Sequence, residues 1–525
     1  MSHRARAVVG LLILVTLIRV AVTLRTFSVT VDESTHIGAG LELYQNHTYR
    51  LHPQNPPLPR VIFAAIPYAI GMRIDLHREI FSKLLSVFFT DTGGKYEKKL
   101  FAARVGNLLF LALACVAMWM LARETLGERG PFVALLLFIT QPIVLGYSGL
   151  ATHDIAAAAM TGLSLVAFLR WLRMRGVRSA SLVGVAYGVS VLCKFSCIAF
   201  VPAACAVIYA VRLIDRRATL ARVYTLLVAI PVTAVVIWAG YGFSVRPVTE
   251  LGAFAGSFGP QVTAVMQHLD PRTPLPAPDF FIGIGTLQNE RGTFMQYLFG
   301  RISREGWWWY FPAAIALKTP IPFLLLIVFG AAVTWREKLL RVIYIESMLA
   351  AIVMILLAAN SHLDLGIRYI LPAYVPLTLA AAAAVIATPF RTIGALLVAA
   401  QVIISMVAHP DYFPYFNAFA GNDPSRYLVD SNLDWGQDVL RLRSAVRKLH
   451  VDHITVLDSG LIDYGYLGFP KWEMAQPDKP RTGWVALGDH PCRMGQAEGG
   501  YSWLGGNAYR RIGKSIRLYW IPARR

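Results

Sequence analysis

The 525-residue chain is 56% hydrophobic and only 15% charged, where a soluble domain carries about 25% charged residues, so a string of soluble domains is excluded. Fifty Lys and Arg against 31 Asp and Glu leave a formal net charge of +19. In a chain whose apolar runs reach about 20 residues, that excess reads as basic loops that set membrane topology and not as a nucleic-acid footprint.

In chain order, residues 7–24 read as a first membrane span and not a cleaved signal, because Arg4 and Arg6 precede the run and no small-residue cleavage pattern follows it. Further spans are expected at 100–121, 131–147, 154–172, 179–193, 196–211, 222–243, 311–334, 340–359, 368–388 and 392–408, about eleven in all. With a cytoplasmic N-terminus, the inside segments hold sixteen basic residues between Arg4 and Arg391, while the short outside turns hold only Lys194 and Arg368. That asymmetry orients a polytopic protein. It places the loops 25–99 and 244–310, and everything after 408, outside the cell. A transmembrane module at 1–408 is then followed by an extracytoplasmic α/β domain at 409–525. Within the latter, 435–449 has helical spacing, and the runs 453–460, 483–490 and 516–521 are β-type, separated by Gly, Pro and Asp. Five cysteines offer neither a disulfide framework nor a metal-type Cys-x-x-Cys pair.

The concentrated polar signals all fall on the outer side. Asp32, Glu33 and His36 open a helical turn that continues into His52, Gln54 and a Pro-Pro turn, followed by an amphipathic stretch at 58–72 suited to the membrane surface. Neighbouring residues on a helix point about 100° apart, so one of Asp32 and Glu33 is the chemical group and the other its support. Asp154 follows Thr152 and His153 at the outer mouth of the fourth span. Arg104, Lys194 and Arg368-Tyr369 bring cations to the same face. Charges at the rim of a bilayer are costly and mark function: carboxylates activate a hydroxyl, and Arg and Lys stabilise a departing phosphate.

These residues carry a resemblance. Asp-Glu-x-x-His-Ile-Gly at 32–38, Pro-Pro-Leu at 56–58, Thr-His-Asp at 152–154 and Cys-Lys-Phe-Ser at 193–196 resemble motifs of the protein O-mannosyltransferase family, glycosyltransferase family 39. That family has the GT-C fold and includes the bacterial aminoarabinose transferases. The likeness continues through Gly-Trp-Trp-Trp-Tyr-Phe-Pro at 306–312, Leu-Lys-Thr-Pro at 317–320 and Gly-Ile-Arg-Tyr-Ile-Leu-Pro at 366–372. It extends to Tyr-Phe-Asn at 415–417 and Asp-Ser-Asn-Leu-Asp-Trp-Gly-Gln-Asp at 430–438. The resemblance implies an inner-membrane enzyme that transfers a sugar, with inversion, from a polyprenyl-phosphate carrier to an acceptor hydroxyl on protein, lipid or polysaccharide. It implies Asp32 as the base, Glu33 beside it and Asp154 as the second acid. Lys194 and Arg368 meet the carrier phosphate, and His36, His52, Gln54, Arg104 and Tyr369 join the substrate site.

One departure stands out. Many relatives have an acid where this chain has Gln54, and in the aminoarabinose transferases that acid can ligate a metal. The neutral Gln54, and a Glu-x-x-His pair at Glu33 and His36 with no second copy, lead to an expectation of no metal and no cofactor. Two other functions compete. A flippase for lipid-linked sugars would place its ionisable residues near the bilayer midplane between repeats. A membrane-anchored binding protein would depend on 435–525 and not on Asp32.

Overall fold

The computed structural model describes residues 3–90, 95–128, 130–251, 268, 270–290, 292–389 and 391–523. The expected inside residue Arg129 and parts of both long outer loops lie outside that set. The helices are α1 (His3–Ala21), α2 (Val31–Asn46), α3 (Pro57–Ala69), α4 (Ile80–Phe88), α5 (Tyr96–Leu126), α6 (Gly130–Ile139), α7 (Pro142–Ser148) and α8 (Asp154–Met174). They continue with α9 (Val177–Cys193), α10 (Cys197–Ile214), a 3-10 turn Val223–Val228 leading into α11 (Ala229–Gly240), and α12 (Pro278–Asn289). Next come α13 (Tyr310–Lys318), α14 (Ile321–Thr334), α15 (Lys338–Ala359), a 3-10 turn Ile367–Ala373 running into α16 (Tyr374–Ala387), and α17 (Arg391–Val407). Helices α18 (Val439–Lys448) and α19 (Asp489–Ala497) follow.

Each expected span falls on a helix or a helix pair. Among the described residues, six helices are long and apolar enough to cross a bilayer, or eight if each bent pair counts as one span. The chain is therefore a multi-span membrane protein. Two expected spans are not straight. The stretch 131–147 divides into α6 and α7, bent by 64°, and 311–334 divides into α13 and α14, bent by 119°. Proline is the cause in both. A residue before proline is driven out of helical backbone: Gln141, before Pro142, has ψ 118°, and Thr319, before Pro320, has ψ 138°. Burial separates the interior from the rim. The span Ile367–Ala387 is 83% buried and Asp154–Met174 78%, whereas Val223–Gly240 is only 6% buried and turns Leu227, Ile230 and Val235 outward, as a lipid-facing helix does.

The C-terminal segment forms a five-stranded mixed sheet, ordered β6-β5-β7-β9-β8. Its strands are β5 (His453–Leu457), β6 (Lys471–Met474), β7 (Gly483–Gly488), β8 (Tyr509–Ile512) and β9 (Ile516–Ile521). The β6, β5 and β7 pairings are parallel, and β9 runs antiparallel to both β7 and β8. Strands β5, β7 and β9 coincide with the three expected runs, while β6 and β8 occupy the sheet edges, where half-buried polar sequence gives a weak signal. Two short antiparallel pairs, β1 (Val245–Pro247) with β2 (Pro274–Pro276) and β3 (Gln296–Leu298) with β4 (Arg301–Ser303), lie in the second long loop. One apolar cluster runs from helix residues such as Leu111 and Tyr374 into Trp435, Val439 and Ile454. The sheet is thus packed onto the helical body.

Candidate active site

Helix α2 places the first acids. Thr30 caps it, and the Glu33 side chain reaches back to accept from the Thr30 N–H at 2.9 Å, a capping box. Glu33 is fully buried, and Arg104 from α5 donates Nε to its Oε1 and Nη2 to its Oε2, each at 2.7 Å. The Ala151 N–H, at 2.9 Å, and the Thr30 hydroxyl, at 3.1 Å, also donate to it. Burial raises the carboxyl, but the Arg104 charge and these donors hold it below its ordinary range. Every acceptor direction of Glu33 is in use.

Arg104 is committed in the same way. Its remaining N–H groups go to the carbonyls of Leu24, Phe27 and Ser28 at 2.7–2.9 Å, so all five guanidinium donors are spent within the protein. With Glu33, Arg104 anchors the start of α2 to α5 and to the 24–28 turn, and each of its donors has a partner inside the protein. Of the two adjacent acids, Glu33 is the buried one.

Asp32, one residue earlier, points elsewhere. Its side chain is 32% exposed, and Oδ2 accepts from Arg368 Nη1 at 2.9 Å. A second pair lies alongside: Lys194, at the C-terminal cap of α9, donates to Asp154 Oδ1 at 2.6 Å. Asp154 sits in the first turn of α8, where a carboxylate meets the positive end of the helix dipole. The Tyr369 ring joins the pairs, with Lys194 Nζ 4.8 Å and the Arg368 guanidinium 5.0 Å from its centre, within cation–π range. Asp32, Arg368, Tyr369, Lys194 and Asp154 therefore form one continuous charged row. Buried polar atoms without partners mark the same place: Asp154 Oδ2, Arg368 Nε and Thr152 Oγ1. Such atoms are rare inside proteins unless a ligand satisfies them.

The imidazoles are arranged differently. His36 is buried edge-on against His153, ring centres 4.2 Å apart, and the two rings meet through His36 Nε2 and His153 Nδ1 at 3.3 Å. Burial, with His153 and Arg60 beside it, holds His36 well below its ordinary pKa. Burial, with Arg60 and Lys194, does the same to His153. His36 packs beneath the 152–154 turn, and among the described residues its Nδ1 has no hydrogen-bond partner. His52 is pushed down to about 4 by burial and by Arg60. Its Nδ1 meets Gln54 Nε2 at 3.0 Å, and Gln54 also donates to Glu290 Oε1 at 2.9 Å. Gln54 therefore ties the first outer loop to the end of α12.

Among the described residues, no three His, Cys, Asp or Glu gather as a metal site. The Gln54 amide, placed where relatives carry an acid, is engaged with Glu290.

Sequence reasoning missed two contributions. Buried Arg60 holds the turn before the Pro-Pro pair through the Leu51 and His52 carbonyls and the Tyr49 hydroxyl; an Arg in an otherwise apolar amphipathic run was the available signal. The second is the segment 430–439. Asp430 sits there at φ +54°, and its carboxyl is raised by burial against the pull of His490 and Arg368. Trp435 lies 4.3 Å from the Arg368 guanidinium.

Residues 88–239 match the family model described as dolichyl-phosphate-mannose-protein mannosyltransferase. Among solved structures, the chain is similar to ArnT from Cupriavidus metallidurans bound to undecaprenyl phosphate. Identity is 15% over 98% of each chain, with a TM-score of 0.52, which establishes a shared fold. It also aligns with the oligosaccharyltransferase AglB from Archaeoglobus fulgidus in complex with an inhibitory peptide and a dolichol-phosphate. There identity is 14%, coverage 89% of this chain and 64% of that one, and the TM-score 0.43. The arabinosyltransferase EmbB from Mycobacterium smegmatis aligns at 11% identity over 74% of this chain and 31% of that one, TM-score 0.38. No curated protein sequence matches.

Proposed function

We propose that this chain, which has the fold of the GT-C glycosyltransferases, is an inverting glycosyltransferase. It moves a sugar from a polyprenyl-phosphate carrier to an acceptor hydroxyl at the outer face of the inner membrane. The observation that carries the reading is the row of two cation–carboxylate pairs bridged by Tyr369, with Asp32 on Arg368 at 2.9 Å and Asp154 on Lys194 at 2.6 Å. The undecaprenyl phosphate bound to ArnT supports the carrier class, and the basic inside segments support an outward-facing site.

Each part has a physical role. Asp32, paired with Arg368 at rest, is freed to accept a proton when a phosphate anion draws the guanidinium away. The acceptor hydroxyl gives its proton to Asp32 as its oxygen bonds the anomeric carbon. The carbon–oxygen bond to phosphate breaks on the opposite face, so configuration inverts. The carrier leaves as polyprenyl phosphate, its charge met by Arg368 and Lys194. Phosphate is already a good leaving group, so its stabilisation by fixed cations and the alignment of the two substrates supply most of the acceleration. The activated carrier supplies the driving force, so no nucleotide is needed.

The matched family model names mannose, which makes polyprenyl-phosphate mannose the first donor to test. The experiment compares the glycans and lipids of cells with and without the protein by mass spectrometry, alongside donor consumption by purified protein in lipid nanodiscs. Loss of one glycan species together with donor turnover supports the reading. Movement of donor across a bilayer with no new glycosidic bond replaces it with a flippase.

A further inference from the structure

The segment 430–439 holds both partners of the Asp32–Arg368 pair. On one side it grips the turn that leads into α2: the Ser28 N–H donates to the Gln437 carbonyl at 2.9 Å. The Ser28 hydroxyl donates to the Gly436 carbonyl at 2.7 Å and accepts from the Val439 N–H at 3.0 Å. Asp32 lies one helical turn beyond. On the other side the segment grips the strand of chain before Arg368. The Ser431 hydroxyl donates to the Leu365 carbonyl at 2.6 Å, and Asn432 Oδ1 accepts from the Ile367 N–H at 3.0 Å. Between them Gly366 packs directly on Ser431, where a Cβ would collide with the Ser431 hydroxyl. Asn432 is itself fixed by the Tyr310 hydroxyl at 2.8 Å, and Lys318 donates to its carbonyl.

From the middle of this segment Trp435 reaches the guanidinium. Its ring is 2% exposed, lies 4.3 Å from Arg368 Cζ, and is backed by Phe413 at 6.0 Å with the ring planes 14° apart. Among the described residues, Arg368 has a single side-chain hydrogen bond, to Asp32, and its Nε has no partner. An arginine that must leave one anion for another needs a support that is not itself an anion. An aromatic face supplies one: it attracts the cation without occupying any N–H donor.

We propose that Trp435 is a positioning residue that holds the Arg368 guanidinium in place while it passes from Asp32 to the phosphate of the polyprenyl carrier, making the C-terminal segment part of the carrier site. This rests on the carrier reading above.

The test measures binding of undecaprenyl phosphate and of uncharged undecaprenol to the full-length protein in nanodiscs, and takes their affinity ratio. Loss of packing alone weakens both ligands together; loss of guanidinium positioning lowers the ratio. The ratio is expected to fall about tenfold in Trp435→Leu, in line with a desolvated cation–π contact, and to be largely restored in Trp435→Phe. A tetrafluorinated tryptophan at 435 alone keeps the shape but removes the negative ring face. It is expected to lower the ratio like leucine, which keeps the test decisive if Trp435→Leu fails to fold. A wild-type ratio with the fluorinated ring, while Arg368→Ala abolishes the phosphate preference, overturns the role of Trp435 and leaves the carrier reading standing. Absence of any phosphate preference in the wild-type protein overturns both.

Discussion

Asp32 and Arg368, 336 positions apart in the chain, meet at 2.9 Å, and the pair is only partly shielded, at 32% and 11% side-chain exposure. A partly exposed ion pair is worth little to stability. Glu33 and Arg104, also bonded at 2.7 Å but with no exposure at all, have the opposite character. The first pair borders solvent; the second lies wholly inside the scaffold that carries it.

Asp32→Asn is expected to lower sugar transfer by about a hundred- to ten-thousandfold, the usual worth of a positioned base, while undecaprenyl phosphate binding is retained or tightened. Removing the carboxylate takes away the anion that competes for Arg368. Turnover at the wild-type rate in the purified variant would assign the base elsewhere, with Asp154 next in line.

Arg368→Ala and Lys194→Ala are each expected to weaken undecaprenyl phosphate binding by about 2–5 kcal/mol, as when one partner of a desolvated charged contact is cut away. Titration in nanodiscs measures it. Unchanged affinity in both variants would move the phosphate away from the Tyr369 row.

Arg104→Ala leaves a fully buried Glu33 charge without its partner and strands three backbone carbonyls. Destabilisation of about 3–5 kcal/mol is expected, seen as a large drop in thermal unfolding temperature. Activity per folded molecule should be preserved in Glu33→Gln, which keeps the shape and part of the hydrogen bonding. A specific loss of turnover in well-folded Glu33→Gln would restore Glu33 to the chemistry.

Asp434 gives a pH dependence of stability. Burial pushes its carboxyl up to about 8 from an ordinary 3.8. Between those values the folded protein keeps a proton that the unfolded chain has lost, so stability falls as pH rises from about 4 to about 8 and levels off above. Asp434→Asn should flatten that part of the profile, read as unfolding temperature against pH. An identical slope in the variant would remove Asp434 as its source.

Transfer is expected to persist after exhaustive chelation, because Lys194 and Arg368 already supply fixed positive charge and a hard cation needs several oxygen ligands. Loss of turnover on chelation, restored by a stoichiometric divalent ion, would require ligands brought together only with substrate bound.

Hydropathy and charge are properties of short stretches of chain. The multi-span class, the basic segments, and the identities of Asp32, Asp154, Lys194, Arg368 and Tyr369 as a one-sided set were therefore legible in the sequence. The two broken spans were read as continuous at 131–147 and 311–334, although Pro142 and Pro320 carried the signal, since proline acts on its immediate neighbours. What the sequence left open is which of two adjacent acids faces substrate, because helical geometry separates Asp32 from Glu33 without saying which side is the interior. The tertiary structure distinguishes them, burying Glu33 against Arg104 and leaving Asp32 partly exposed beside Arg368. It alone showed that all five Arg104 donors are spent, which becomes visible only when the Leu24, Phe27 and Ser28 carbonyls are in place. It alone also brought Trp435 onto Arg368. That contact exists because a segment beyond the last span folds back between two loops far from it in sequence, and such a meeting has no local periodicity to announce it.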